Sequence, residues 1–161
     1  MYAELADEED RELWKLTARE SREYLKKACH PDTGMSAEYA EYDGSPNNRT
    51  FVAENFGWRH DWFYSDSYRT IANIALDYSW FEADDWEIEI AKKIRLFYED
   101  KCEMVDGEPT YPIYEIDGTK VLGSKMGDTV MHPYALIATN AMSALASKEG
   151  EMSQDAIDAV E

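Results

Sequence analysis

Four stretches of the chain repeat apolar residues at the three- and four-residue spacing that is typical of α-helices. This spacing predicts helices over residues 7–28, 66–78, 84–98 and 133–146. The first and third are amphipathic, because charged residues such as Arg11 and Lys15, or Glu87 and Lys92, occupy the face opposite the apolar stripe. The second and fourth are apolar nearly all round, which indicates helices enclosed by other elements.

The alternation of amphipathic and enclosed helices distinguishes between two all-α architectures. A plain four-helix bundle would carry four amphipathic helices, whereas an α/α toroid shields an apolar inner ring behind an amphipathic outer ring. The order therefore predicts an all-α fold that is part of a toroid. Because two helical hairpins cannot close a ring, we expect either self-association through an exposed inner-ring surface or a larger domain to which the chain belongs.

Two irregular segments and a tail complete the predicted architecture. Residues 30–65 form a long connection whose eight aromatic residues predict order, and long ordered connections tend to be functional. A short hairpin is expected over residues 111–121, where Asp117-Gly118 is the dipeptide that a type I′ turn prefers. Residues 148–161 read as a polar tail, with a short turn over 153–160.

The charge balance excludes two classes of partner. Sixteen Lys plus Arg stand against 34 Asp plus Glu in 161 residues, and the formal net charge of -18 argues against nucleic acids and anionic membrane surfaces. The chain has no run of about 18 apolar residues, so we expect no membrane span, and its first residues do not have the basic-then-apolar pattern of a secretory signal. Cys29 and Cys102 permit one disulfide without requiring it.

The densest group of candidate functional residues is the segment 62–69, where the aromatic connection enters the second helix. Asp66 lies on the first helical turn, and Arg69, three residues on, is spaced to pair with it. The pair suits a general base that activates water at an aromatic cleft. Equally, Ser65 or Asp66 caps the helix and Arg69 is an ion-pair partner. Trp62 and Tyr64 are candidate sugar-binding rings, although core packing is the commoner use of such residues.

Two further candidates lie outside that segment. His132 begins the fourth helix, at the same kind of entrance as Asp66, and Glu41 lies among the tyrosines of the long connection. A backbone-satisfied histidine and a solvated carboxylate are the commoner roles of such residues, and the residues alone leave both interpretations open. None of the three histidines has a second ligand at metal-binding spacing, so we expect no metal, and no motif indicates a cofactor.

Four motifs in order carry a resemblance to a known family. They are His30–Gly34 (HPDTG), Glu38–Gly44 (EYAEYDG), Tyr64–Thr70 (YSDSYRT), and His132-Pro133 followed by Ala138–Ala141 (ATNA). Together, over about residues 8–146, they resemble glycoside hydrolase family 8, and within it the branch of oligoxylanases that release xylose from the reducing end. Each motif alone is weak, whereas four in order make a specific signal.

The resemblance implies an (α/α)6 toroid that hydrolyses xylo-oligosaccharides with inversion, of which residues 1–147 are the C-terminal half. It implies that Asp66 is the catalytic base, that Arg69 supports it, and that His132 and Glu41 contact the reducing-end sugar. The general acid of the family, a glutamate in a Ser-Glu-Gly context, has no counterpart in this sequence. We therefore expect weak or absent hydrolysis by this chain alone. An exo-acting enzyme for short oligosaccharides suits the cytoplasm, so the resemblance also implies a cytoplasmic location. The alternatives are a non-catalytic carbohydrate-binding remnant and an endo-acting xylanase or β-glucanase of the same family.

Overall fold

The computed structural model describes residues 2–47 and 57–148. The helices within these ranges are α1 (Tyr2–Leu5), α2 (Glu8–Ala28), α3 (Tyr68–Phe81), α4 (Trp86–Tyr98) and α5 (Pro133–Met142). The strands are β1 (Trp62–Phe63), β2 (Glu103–Val105), β3 (Glu108–Thr110) and β4 (Tyr114–Glu115). Short 3-10 turns precede α3 and follow α5, at Ser65–Ser67 and Ser143–Leu145.

All four predicted helices are present, with shifted ends. The second begins at Tyr68 rather than residue 66, because residues 65–67 form the 3-10 turn. The prediction that Ser65 or Asp66 caps this helix is wrong: Ser67 occupies the position before α3, and no side chain there bonds to a helix amide. The fourth helix ends at Met142 instead of residue 146, where the chain tightens into the second 3-10 turn. The turn predicted over 153–160 lies outside the described residues.

The predicted alternation of exposed and enclosed helices holds only in part. Helix α3 buries six residues on several sides, as expected of an enclosed helix. Helix α5 is not enclosed, since only Leu136 is buried while Tyr134 and Met142 are exposed. The apolar stripe of α2 is also uncovered, with Leu13 at 59% exposure. Periodicity reports which residues are apolar, and it does not report whether the chain supplies a cover for them.

The small sheets differ from the single predicted hairpin. The regular hairpin pairs β2 with β3 around Asp106-Gly107, which the sequence pattern missed because both strands are short and largely exposed. The chain does reverse at Asp117-Gly118, where Tyr114 bridges to Lys120, but β4 pairs antiparallel with the distant β1 instead of forming a longer hairpin. That long-range pairing ties the aromatic connection to the second half of the chain.

The core is centred on aromatic rings between α3, α4 and the irregular segments. Phe63 lies 5.1 Å from Tyr68 and 5.8 Å from Tyr98 by ring centroids, and all three side chains are at most 4% exposed. Tyr98 also meets Tyr111 and Tyr114 edge to face. Such tilted and edge-on arrangements favour aromatic pairs beyond the area they bury. The aromatic residues of this core therefore serve packing.

The structure also bears on the expected state of the two cysteines and on the expected absence of a membrane span. Cys29 is buried and Cys102 is exposed, and both are free thiols. Burial raises the pKa of the Cys29 thiol to about 12, so it stays protonated. Among the helices that the structure describes, none is both long and apolar enough to cross a bilayer.

A partly buried ion cluster joins α2 to α3 and α4. The guanidinium of Arg22 contacts the carboxylate of Asp77 through two bonds, Nε to Oδ2 at 2.6 Å and Nη2 to Oδ1 at 3.0 Å. Glu87, which the pattern placed on a solvated face, is 1% exposed, with Oε1 at 3.7 Å from Arg22 Nε. Burial, followed by the hydrogen bond to Asp77, raises the pKa of Glu87 to about 8. Glu87 is thus a protonated donor at neutral pH.

The free energy of unfolding is expected to fall as the pH rises through about 8. The pKa of Glu87 is raised from 4.5 in folding, so its contribution is complete below about pH 4.5 and is lost above its folded pKa. Between about pH 6.5 and about pH 9 the loss amounts to roughly 1–2 kcal/mol. Urea unfolding across this range measures it.

The variant Glu87→Gln keeps a hydrogen-bond donor and removes the titration, so its stability should decline less over the same range. The matched control is Glu89→Gln, an exposed residue two positions along α4, which should keep the wild-type decline. An identical decline in wild type and Glu87→Gln would contradict the assignment.

Candidate functional site

The candidate site begins where two parts of the long connection run side by side. The amide of Glu38 donates to the carbonyl of Trp62 and that of Tyr39 to the carbonyl of His60, each at 3.0 Å. On the other side, Trp62 and Phe63 of β1 pair with β4. The segment that leads into α3 is therefore held from both sides by backbone hydrogen bonds, so its last residues have a fixed direction.

A single tight turn connects β1 to α3. Ser65 has φ of +48°, a left-handed conformation that is costly for a residue with a Cβ atom. The amide and the hydroxyl of Ser67 both donate to the carbonyl of Tyr64 at 3.1 Å, and Ser67 is 2% exposed. This strained turn is kept by buried residues on either side of it, and strain of this kind concentrates at functional sites.

Asp66 and Arg69 form the predicted pair at the start of α3. Arg69 Nη2 lies 2.7 Å from Asp66 Oδ1, and the side chains are 67% and 54% exposed. The positive end of the α3 dipole also favours a carboxylate at this place. Exposed pairs contribute about 1 kcal/mol or less to stability, so the main effect of Arg69 is to orient a carboxylate that faces solvent.

Trp62 and Tyr64 are buried, unlike the exposed pair. Trp62 is 7% exposed and Tyr64 is 3% exposed. Burial, with a smaller contribution from Glu38, raises the pKa of Tyr64 above its ordinary value. In the described residues both rings pack in the core, so they offer little face to a sugar; the role predicted for them as sugar-binding rings remains a prediction.

His132 and Glu41 come from other elements. His132 occupies the position before α5 and is exposed. Its carbonyl accepts hydrogen bonds from the amides of Ala135 and Leu136 at 3.1 and 3.2 Å. Because α5 packs against α3, His132 begins the helix next to that of Asp66. Glu41 is exposed in the turn at residues 41–44, and its carbonyl accepts the Tyr24 hydroxyl at 3.1 Å. The side chains of both residues are left accessible.

One side-chain contact beside this segment could not be predicted from the sequence pattern. Glu38 Oε2 lies 2.7 Å from His60 Nδ1, and the ring of His60 meets that of Tyr39. The two partners of the polar contact are 22 residues apart in an irregular connection. No helical or strand periodicity relates such residues, so only the paired backbone of residues 38–39 and 60–62 brings them together. Within residues 2–47 and 57–148, no three His, Cys, Asp or Glu side chains group as a metal site.

Comparison with known proteins identifies close relatives of which the chain covers a part. No family model matches it. It is 45% identical over 159 residues to a reducing end xylose-releasing exo-oligoxylanase of Halalkalibacterium halodurans, covering 98% of this chain and 36% of that protein. It is 42% identical over 147 residues to the reducing-end xylose-releasing exo-oligoxylanase Rex8A of Paenibacillus barcinonensis, covering 91% of this chain and 35% of that protein.

Solved structures give the same relationship. The structure of Rex8A complexed with xylose matches with a TM-score of 0.76 at 38% identity, over 97% of this chain and 37% of Rex8A. A crystal structure of a reducing-end-xylose releasing exo-oligoxylanase matches with a TM-score of 0.74 at 44% identity, over 98% of this chain and 37% of that one. The helix-rich fold is therefore shared with these enzymes, and the chain spans little more than a third of their length.

Removal of Arg69 is expected to leave the fold nearly as stable as before. Because the Asp66–Arg69 pair is exposed, Arg69→Ala should change the free energy of unfolding by less than about 1 kcal/mol. Arg22→Ala is the contrasting variant, since it removes two hydrogen bonds and the cation from the partly buried carboxylate of Asp77, and it should cost about 2–3 kcal/mol. Urea unfolding measures both. A larger loss in Arg69→Ala than in Arg22→Ala would contradict this account.

Proposed function

We propose that the chain forms part of an inverting glycoside hydrolase that releases xylose from the reducing end of xylo-oligosaccharides. The observation that carries the proposal is its 45% identity, over 98% of its length, to an enzyme named for that reaction. In this proposal residues 1–147 correspond to the C-terminal half of an (α/α)6 domain of glycoside hydrolase family 8, and residues 148–161 to a polar tail.

Asp66 has the properties that a general base needs. Its carboxylate is about half exposed, is oriented by Arg69 and lies at the positive end of α3. A base in an inverting glycosidase takes a proton from the water that attacks the anomeric carbon, so it has to be ionised and open to water. Arg69 contacts Oδ1 of the carboxylate, and in this proposal the attacking water is held by Oδ2.

The proposed reaction also needs a general acid on the far side of the glycosidic bond. Inverting enzymes hold their two carboxyl groups about 6.5–9.5 Å apart to leave room for water. The resemblance assigns the acid to a glutamate in a Ser-Glu-Gly context, and this sequence contains no such motif. We therefore propose that these 161 residues bind xylo-oligosaccharides and supply the base, with hydrolysis weak or absent in their isolated form.

The accessible residues at the start of α5 and in the 41–44 turn suit contacts with a sugar. His132 is exposed to solvent at the start of the helix that packs against the helix of Asp66. Its ring nitrogens can accept from and donate to sugar hydroxyl groups. In the proposed enzyme His132 binds the reducing-end xylose, and Glu41 contributes a second polar contact to that sugar.

Titration calorimetry of the purified protein with xylobiose and xylotriose tests this proposal, with cello-oligosaccharides as the competing class. Heat selective for the xylo-oligosaccharides is expected, and His132→Ala should weaken that binding by about tenfold, the cost of a lost hydrogen bond to a buried ligand group. Asp66→Ala should abolish any xylose release and change the affinity less. The absence of binding to every xylo-oligosaccharide by the folded protein would refute the proposed function.

Matched controls separate these roles from general effects on folding. Asp85→Ala removes another exposed aspartate at a helix start with a basic partner, Lys148, and should affect neither binding nor xylose release. His30→Ala removes the other histidine that precedes a proline. If either control matched the loss seen in the corresponding site variant, the assignment of Asp66 or His132 would be wrong.

A further inference from the structure

Three side chains beside the Asp66 segment, those of Glu38, His60 and Tyr39, are linked by contacts through His60. We call them the Tyr39 cluster. The Glu38 carboxylate and His60 Nδ1 are 2.7 Å apart, and the His60 and Tyr39 rings meet with centroids 4.3 Å apart and planes at 86°. The side chains of Glu38 and His60 are 8% and 18% exposed, whereas Tyr39, taken as a whole residue, is 52% exposed. A surface ring is thus supported by a nearly buried polar pair.

The backbone of Tyr39 is fixed as well. Its amide donates to the carbonyl of His60 at 3.0 Å, and its carbonyl accepts the amide of Asn47 at 2.9 Å. The preceding amide, that of Glu38, donates to the carbonyl of Trp62. The main chain of Tyr39 is therefore held by hydrogen bonds, and its ring is held by the contact with His60. Both contacts fix Tyr39 relative to the segment that leads to the candidate site.

Stability alone does not account for a ring that is held in this way. A tyrosine ring left half in water forgoes part of the hydrophobic stabilisation that a buried ring gains, and ordering the side chain costs entropy. Tyr64, in the neighbouring segment, is buried to 3% exposure instead. A flat ring that is both ordered and exposed is preorganised for a ligand, because the entropy of fixing it is already spent before binding.

We propose that Tyr39 is a platform on which a pyranose ring of a bound oligosaccharide stacks, and that His60 and Glu38 are the residues that position it. The inference rests on the proposed function, which supplies the xylosyl unit as the occupant. A neutral sugar fits this surface because the carboxylate of Glu38 is engaged by His60 and the exposed part of the cluster is an uncharged ring.

The proposed subsite lies close enough to Asp66 to belong to the same bound oligosaccharide. Residue 60, the backbone partner of Tyr39, is six residues before Asp66. Six residues span at most about 20 Å even when fully extended, and the turn at Ser65–Ser67 shortens that distance. This upper limit leaves Tyr39 within reach of an oligosaccharide bound at Asp66. We propose that it contacts a sugar other than the two at the cleaved bond, so its effect should grow with the length of the oligosaccharide.

Calorimetry of the purified protein with xylobiose, xylotriose and xylotetraose tests the platform. Tyr39→Ala should weaken the affinity for the longer oligosaccharides by about five- to tenfold, whereas Tyr39→Phe, which keeps the ring, should bind like the wild type. Tyr42→Ala is the matched control, since Tyr42 is a fully exposed tyrosine of the same connection. Tyr39→Leu keeps an apolar side chain of similar bulk but has no flat ring, so it should lose affinity as Tyr39→Ala does. If Tyr39→Ala does not fold, Tyr39→Leu takes its place in the experiment.

A double-mutant cycle tests the positioning role of His60. His60→Ala should weaken binding of xylotetraose about threefold in the wild-type background and have no further effect in Tyr39→Ala, since residues that act through one another are not additive. Additive losses would mean that His60 acts independently of Tyr39. The thermal midpoint of each variant verifies that the folded protein is being titrated.

The outcomes separate this inference from the proposed function. Binding of xylo-oligosaccharides by the wild type with equal affinity in Tyr39→Ala would overturn the platform and leave the proposed function standing. No binding of any xylo-oligosaccharide by the folded wild type would overturn the proposed function and, with it, the xylosyl occupant of Tyr39. Loss of affinity in Tyr42→Ala as large as that in Tyr39→Ala would also overturn the platform.

Discussion

The candidate site depends on the docking of the loop at residues 29–47 onto α4. At Gly34 the backbone has φ of +76°, and a Cβ atom there would lie 2.7 Å from the carbonyl oxygen of Ile90, so a residue other than glycine is excluded by contact as well as by conformation. The next residue, Met35, is fully buried, and its sulfur accepts the Tyr98 hydroxyl at 3.6 Å. Because residues 38–39 then pair with 60–62, this contact determines where the turn before α3 begins.

Two buried tyrosines fix the position of Asp66 while leaving its side chain in water. Tyr64 and Tyr68 are 3% and 1% exposed and stand on either side of the turn that carries Asp66. With both ends anchored in the core, the few residues between them have few conformations, and the positive φ of Ser65 can be sustained. The core therefore fixes the position of the site. A turn of only three residues, Ser65–Ser67, separates the two buried tyrosines.

Local spacing predicted those features that depend on neighbours in the sequence. The four helices follow from apolar periodicity, and the contact of Asp66 with Arg69 follows from their separation by three residues. Burial by distant partners did not follow. Glu87 lies on the charged side of a predicted amphipathic helix, yet it is buried because Arg22 arrives from α2. The exposure of α5 was likewise missed, since an apolar sequence does not reveal what covers it.

The two ends of α3 show why the site and the stabilising contacts are separate. At its start, the helix dipole favours the carboxylate of Asp66, so the residue tolerates solvent and an exposed partner. Near its end, the dipole disfavours the carboxylate of Asp77, and burial adds to the cost. Hydrogen bonds from Arg22 and Glu87 nevertheless keep the pKa of Asp77 below its ordinary value. The same residue type is thus held in a structural ion cluster at one end, where the field opposes its charge, and exposed to solvent at the other, where the field supports it.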